Sequence, residues 1–299
     1  MREIVIISGK GGTGKTSLTA AFSSLAENSI FCDADVDAAD LHLLLGPENI
    51  STNDFYAGGI AAVRQDDCIS CGTCLELCRF GAITDDFTVD TMRCEGCGVC
   101  VDNCPEQAID FPARWCGKWY VSATRYGRMV HAKLGIAQEN SGRLVSMIRK
   151  EAGKIAEEEG LELILTDGPP GIGCPVIAAI TGASLLVIVV EPTVSGLHDL
   201  ERVAGLARHF RIPAMVCINK YDINGEMSEN IERHAVEHGM KLAGKIPFDR
   251  KFTESMVAAK SFLELEQDSK TAQAIKEVWH RVDEASRQPE LSAAQLVII

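Results

Sequence analysis

Hydrophobic positions in this chain alternate between short unbroken runs and stripes of 3.6-residue period. The run Ile4-Val5-Ile6-Ile7 is brief, β-branched and closed by a glycine-rich turn, which predicts a strand buried on both faces of a parallel sheet. Lys15 to Glu27 reads as a helix, and Ser29-Ile30-Phe31-Cys32 as a second strand ending on the acid-rich turn Asp33-Ala34-Asp35-Val36-Asp37. The pattern breaks near Gly58 and resumes after residue 117. Ser141 to Glu159 then carries Leu144, Met147, Ile148 and Ile155 near helical spacing. Three strand candidates follow, Leu161–Thr166, Ser184–Val190 and Ala214–Asn219, separated by helical stretches as βαβ units require. Lys270 to Glu284, with Ile275, Val278, Trp279 and Val282 on one face, is the expected last helix.

The interruption has its own chemistry. Residues 59–116 hold ten acidic and four basic residues and nine of the twelve cysteines, with little helical periodicity. The chain therefore reads as one α/β domain, residues 1–58 and 117–285, interrupted by an inserted domain at 59–116 and followed by a tail, 286–299. The tail's apolar end, Leu296-Val297-Ile298-Ile299, lacks the basic residues of a membrane-seeking helix and is expected to dock or fray.

Composition narrows the function classes. A net charge of −13 argues against a general grip on nucleic acid or anionic membrane, both of which need a cationic face. No signal peptide is visible, and no apolar run approaches the ~18 residues that span a bilayer, so the expected location is cytoplasmic. Clustered cysteines in such a chain point to metal or iron–sulfur ligation rather than disulfides.

Gly9-Lys10-Gly11-Gly12-Thr13-Gly14-Lys15-Thr16 fits the P-loop pattern between a strand and a helix. Its glycines let backbone N–H groups converge on phosphate oxygens, and the helix N-terminus adds positive potential. Lys15 is expected on the β- and γ-phosphates and the Thr16 hydroxyl on Mg²⁺, with Ser17 completing the nucleotide-binding stretch. Gly9-x-Gly11-x-x-Gly14 with Asp33 downstream also satisfies a dinucleotide fingerprint. The Lys15-Thr16 pair decides against that reading, since a dinucleotide pyrophosphate needs neither group there.

Cys68-x2-Cys71-x2-Cys74-x3-Cys78 and Cys94-x2-Cys97-x2-Cys100-x3-Cys104 repeat one spacing twice, the pattern of bacterial two-cluster ferredoxins. Three thiolates of one run hold three corners of a cubane and the fourth comes from the other run. One [4Fe–4S] cluster is thus expected on Cys68, Cys71, Cys74 and Cys104, and the other on Cys94, Cys97, Cys100 and Cys78. Zinc is the simpler alternative for paired CxxC units, but the doubled x2, x2, x3 run is foreign to it. Cys104 is followed by Pro105, whereas Cys78 is followed by Arg79 where ferredoxins usually have proline. Cys32 and Cys217 are expected in core strands, and Cys116 and Cys174 as structural thiols. The seven histidines show no ligand spacing.

With its second loop lysine, Lys10, the sequence resembles the deviant Walker A group, the MinD/ParA superfamily that includes the nitrogenase iron protein. The resemblance runs from residue 4 to about 280. It implies a doubly wound, mostly parallel P-loop fold carrying an inserted α+β ferredoxin domain. It also implies that Lys10 reaches the partner's phosphates in a nucleotide-sandwich dimer. Asp33-x-Asp35 resembles switch I, with Asp33 holding magnesium through water and Asp35 positioning the attacking water. Asp167-Gly168-Pro169-Pro170-Gly171 resembles switch II, with Asp167 beyond the magnesium's own ligands. Glu191-Pro192-Thr193 is a further family feature. Asn219 and Lys220 fall where the family reads adenine, and Pro247 where it flanks the base.

These readings predict an ATPase using ATP, Mg²⁺ and two [4Fe–4S] clusters, a homodimer or a heterodimer with a related ATPase. Its nucleotide cycle is expected to drive electron transfer to, or metal-cofactor maturation on, a partner protein. Two alternatives stand beside it: an iron–sulfur carrier of Mrp type, whose C-terminal CxxC this chain lacks, and a spatial-positioning switch like MinD or ParA.

Overall fold

The computed structural model describes residues 1–135 and 141–288. Of the tail expected at 286–299, residues 289–299 lie outside them. The chain opens with β1 (Arg2–Ser8), α1 (Lys15–Ser23), β2 (Ser29–Asp33), α2 (Leu41–Leu45) and β3 (Glu48–Gly59). Short elements follow: β4 (Ala62–Val63), α3 (Thr73–Leu77), α4 (Val99–Asp102) and β5 (Ile109–Asp110). Next come β6 (Ala113–Thr124), β7 (Gly127–Leu134), α5 (Ser141–Glu159), β8 (Leu163–Pro170), α6 (Cys174–Ile180) and β9 (Leu185–Val190). The chain continues through α7 (Val194–His209), β10 (Ala214–Asn219), α8 (Gly225–Glu237), β11 (Lys241–Ile246), α9 (Lys251–Val257), α10 (Phe262–Leu265) and α11 (Lys270–Ser286).

The main sheet has the order β11-β10-β9-β1-β8-β2-β7-β6-β3. From β11 to β7 every neighbouring pair is parallel. β1 lies between β9 and β8, so the connections wind outward from it in both directions, and the loops after β1, β2 and β8 meet at one edge. Ile4 to Ile7 are fully buried, as a central parallel strand with both faces covered must be. The core packs Phe22, Phe31, Ile275 and Trp279 against these strands.

The described residues form two compact units, Met1–Asn53 with Lys118–Leu134 and the chain from Ser141 onward, and Asp54–Gly117 with Gly135. β3 and β6 each begin in one unit and end in the other. The second unit starts about five residues before the expected boundary, because Phe55, Ala57 and Gly59 of β3 are buried in alternation.

Inside the second unit the structure repeats at an offset of 26 residues. β4 pairs antiparallel with β5 through Val63↔Ile109, and a bridge joins Val89 to Ile83. Gly72 and Gly98, with φ of 82° and 76°, occupy the left-handed caps from which α3 and α4 start, a conformation glycine adopts without Cβ strain. The Ala82 N–H donates to Cys78 Sγ at 3.4 Å and the Ala108 N–H to Cys104 Sγ at 3.3 Å. Cys74, Ile83, Ile109 and Ala61 form this unit's own small core.

Candidate functional site

The first unit gathers its chemistry where β1, β2 and β8 end. Parallel register sets Asp33 level with Asp167 on the neighbouring strand, and α1 begins directly beneath the loop after β1. Lys15 is buried, with Nζ 3.2 Å from Asp35 Oδ2 and 3.2 Å from Asp167 Oδ2. The Thr16 hydroxyl donates to Asp167 Oδ2 at 2.7 Å and the Thr19 hydroxyl to Asp167 Oδ1 at 3.0 Å. Asp33 accepts the Asp35 N–H at 3.2 Å and the Leu41 N–H at 3.1 Å. The structure thus brings Lys15, Thr16, Asp33, Asp35 and Asp167 into one knot.

Three carboxylates surround one ammonium there, so the knot is short of positive charge. Burial pulls the Lys15 ammonium down, but Asp167, Asp35 and Asp33 outweigh it and leave its pKa above the usual lysine value. Burial, reinforced by Asp167, pushes the Asp33 carboxyl well above the carboxylate range. Burial raises Asp35 against the pull of Lys15. A divalent cation would satisfy this donor set. The hydroxyl of Thr13, inside the loop, is buried with no hydrogen-bond partner, an orphan that a phosphate oxygen would satisfy.

Gly14 is required for two reasons. Its φ of +88° is left-handed, and a Cβ there would stand 2.4 Å from Asn219 Nδ2. That amide donates to the Thr13 carbonyl at 2.7 Å, while its oxygen accepts the Lys220 N–H at 3.0 Å. Asn219 therefore ties the end of β10 to the phosphate loop, with one donor and one acceptor position left for a base. Pro247 sits in the loop after β11, half-buried. Ser17, on the first turn of α1, donates to Met256 Sδ at 3.5 Å.

Lys10 stands apart from the knot. Its Nζ is 3.1 Å from Ser195 Oγ, 3.5 Å from Thr193 Oγ1 and 3.7 Å from Glu191 Oε2. Glu191 also pairs with Lys220 at 2.5 Å. Lys10 is thus held at the edge of the site by its own chain, at the start of α7.

A contact that sequence spacing missed lies one strand from Asp33. His131 on β7 aligns with Asp33, is buried, and stacks on His42 at 5.4 Å and on Tyr120 at 4.9 Å. Its Nε2 meets Ser122 Oγ at 3.0 Å. Burial, with His42 adding repulsion, lowers the His131 pKa to about 4, so the ring is neutral at neutral pH. Residues 42 and 131 become neighbours only through the sheet.

In the second unit the eight cysteines of the repeated run divide between two cavities. One is lined by Cys68, Cys71, Cys74 and Cys104. The other is lined by Cys78, Cys94, Cys97 and Cys100. Each cavity takes three thiols from one run and the fourth from the other. Among the described residues no three cysteine, histidine or carboxylate side chains converge as ligands of a single metal ion. Four thiols around each cavity are the donor number that a cubane takes, one thiolate per iron. Of the other cysteines, Cys32, Cys116 and Cys217 are buried. Cys116 Sγ donates to the Ala57 carbonyl at 3.4 Å. Cys174, at the start of α6, is exposed, contrary to a structural thiol. No helix among the described residues is long and apolar enough to cross a membrane.

Comparison with known proteins places this arrangement. Residues 4–262 match the family model described as the CobQ/CobB/MinD/ParA nucleotide-binding domain. An uncharacterized protein of Methanocaldococcus jannaschii is 31% identical over 285 residues, covering 94% of this chain and 96% of its own. A putative septum site-determining protein MinD of Mesostigma viride is 28% identical, over 83% of this chain and 71% of its own. The solved MinD of Pyrococcus horikoshii, complexed with Mg-ADP, superposes with a TM-score of 0.59 at 18% identity, covering 96% and 97% of the two chains. That level of identity shows the shared fold, and the family match carries the rest: the chain belongs to the CobQ/CobB/MinD/ParA family of P-loop nucleotide-binding proteins.

Proposed function

We propose that this protein is a Mg-ATP-driven switch whose inserted module holds two [4Fe–4S] clusters, serving electron transfer to, or metal-cofactor maturation on, a partner protein. The observation that carries the iron–sulfur half is the division of eight cysteines into two cavities with crossed membership. The nucleotide half rests on the family, on the orphaned Thr13 hydroxyl and on the charge-deficient knot around Lys15.

The chain's own groups have distinct tasks in this reading. Backbone N–H groups of Gly9 to Thr16 cradle the phosphates, and Lys15 turns from Asp35 and Asp167 toward the β- and γ-oxygens. Thr16, Asp33 and Asp167 would hold magnesium, which would offset the charge that builds on the phosphates. Release of Lys15 frees Asp35 to accept a proton from the attacking water or to align it. Lys10 leaves Ser195 and Glu191 for the phosphates of a second protomer, so closure of a dimer is linked to nucleotide. Bound clusters would supply one-electron chemistry. The eight thiols hold them, and the Ala82 and Ala108 N–H groups stabilise thiolate charge on Cys78 and Cys104.

A second reading is favoured by the comparisons: a spatial switch of MinD or ParA type, as several relatives are septum site-determining MinD proteins. Cluster content tests the iron–sulfur half of the first reading. Anaerobically purified protein should be brown, contain about eight irons and eight sulfides per chain, and retain Mg-ATP. Colourless protein that binds Mg-ATP and then associates with liposomes would leave the positional switch standing and remove the iron–sulfur reading.

A further inference from the structure

The two thiol cavities are built by a repeat of one backbone pattern but not of one charge pattern. With the 26-residue offset, Cys68, Cys71, Cys74 and Cys78 correspond to Cys94, Cys97, Cys100 and Cys104. Each pair of corresponding positions is then a controlled comparison, since the backbone repeats and the side chain differs.

The residue before the first cysteine is Asp67 in one run and Arg93 in the other. The residue after the fourth is Arg79 in one and Pro105 in the other. Arg79 follows Cys78 and Arg93 precedes Cys94, two of the four thiols of one cavity. Arg114 joins them: its guanidinium donates to the Cys94 carbonyl at 3.4 Å, and its counterpart 26 residues earlier is Thr88, which has no charge. Three of the module's four basic residues thus adjoin or bond to Cys78 or Cys94, with the charge of Arg93 shared by Asp90 at 3.4 Å. The fourth, Arg64, lies at the other cavity, where ion pairs with Asp67 and Asp110 spend its charge. Each cavity is lined by one glutamate, at positions that do not correspond: Glu106 at that other cavity, where Phe80 stands at the first, and Glu95 at the first, where Ile69 stands at the other.

Reduction adds negative charge to a cluster, so nearby cations favour it and nearby carboxylates oppose it. We propose that the Cys78/Cys94/Cys97/Cys100 site is the electron-accepting end of the module, reduced before the Cys68/Cys71/Cys74/Cys104 site, and that Arg114 is a positioning residue for this difference. This inference rests on the iron–sulfur reading above. A partner that receives electrons one at a time would draw them from the site richer in arginine.

The test is a potentiometric titration of the full-length protein, reduced with dithionite under anaerobic conditions and followed by EPR. Wild type should show two one-electron steps. Arg114→Gln should lower the higher of the two potentials, changing the reduced-to-oxidised ratio at that cluster about tenfold, roughly 59 mV for a one-electron couple, and leave the lower step in place. Arg79→Gln, at an exposed position, should shift the same step in the same direction and serves if Arg114→Gln misfolds. Arg64→Gln should instead lower the other step. Movement of the lower step on Arg114→Gln and Arg79→Gln, or of neither step, overturns the assignment while leaving the iron–sulfur reading intact. Wild-type protein without iron overturns both.

Discussion

Replacing Lys15 with alanine isolates the electrostatics of the nucleotide knot. The ammonium is buried between Asp35 and Asp167, each 3.2 Å away, and Asp33 lies fully buried behind them. Deleting one partner of a buried ion pair costs about 3–5 kcal/mol, because the remaining charge is neither solvated nor paired. For a chain of this size that corresponds to a fall in Tm of roughly 6–20 °C at pH 8. The carboxyls have an escape, however. Burial already holds Asp33 well above the ordinary carboxylate value and raises Asp35, and losing the ammonium raises them further. The folded variant therefore binds more protons than the unfolded chain, so its stability rises as pH falls and is lost as pH climbs through the raised values. Thermal unfolding of wild type and Lys15→Ala at pH 8 and pH 5.5 reads this directly. The gap in Tm should shrink at the lower pH. An equal gap at both values would refute the charge argument and leave only lost packing.

Two further outcomes follow from the geometry. Lys10→Ala should retain Mg-ATP, since the residue sits on Ser195 and Glu191 rather than in the Lys15 knot, yet lose ATP turnover by about 10³-fold if it acts across a dimer as an arginine finger does. Normal turnover would remove that role. Crossed membership of the cavities predicts that Cys68→Ser/Cys104→Ser keeps about four irons per chain, whereas Cys94→Ser/Cys104→Ser keeps almost none. The reverse ranking would mean that each run binds its own cluster.

Several pieces of the nucleotide site were legible in the sequence because each is a short local motif, although Asp167 and Asn219 reach the loop only through the fold. The phosphate loop lies between β1 and α1, and α5 and β10 have the bounds their hydrophobic patterns predict. The helix expected to reach Glu27 stops at Ser23, and Asn28 turns left-handed with φ of 48° before β2. What stayed hidden depends on neighbours. β3 carries few apolar residues and ends the sheet, so its pattern is mostly exposed. β7 contains Arg128 and His131, which mask a buried strand until stacking on Tyr120 and His42 accounts for the histidine. The partition of the cysteines follows from their spacing. The unequal charge around the two cavities does not, since it appears only when the repeat is aligned and Arg114 is seen to reach Cys94.

The central claim is that nucleotide bound at one site alters clusters held in the other unit of the same chain. The most direct measurement is the EPR spectrum of anaerobically reduced full-length protein with and without Mg-ATP, with Lys15→Ala as the comparison. The account predicts a change in line shape or midpoint potential on adding Mg-ATP to wild type and no change in the variant. Identical spectra in wild type with and without bound Mg-ATP would contradict it.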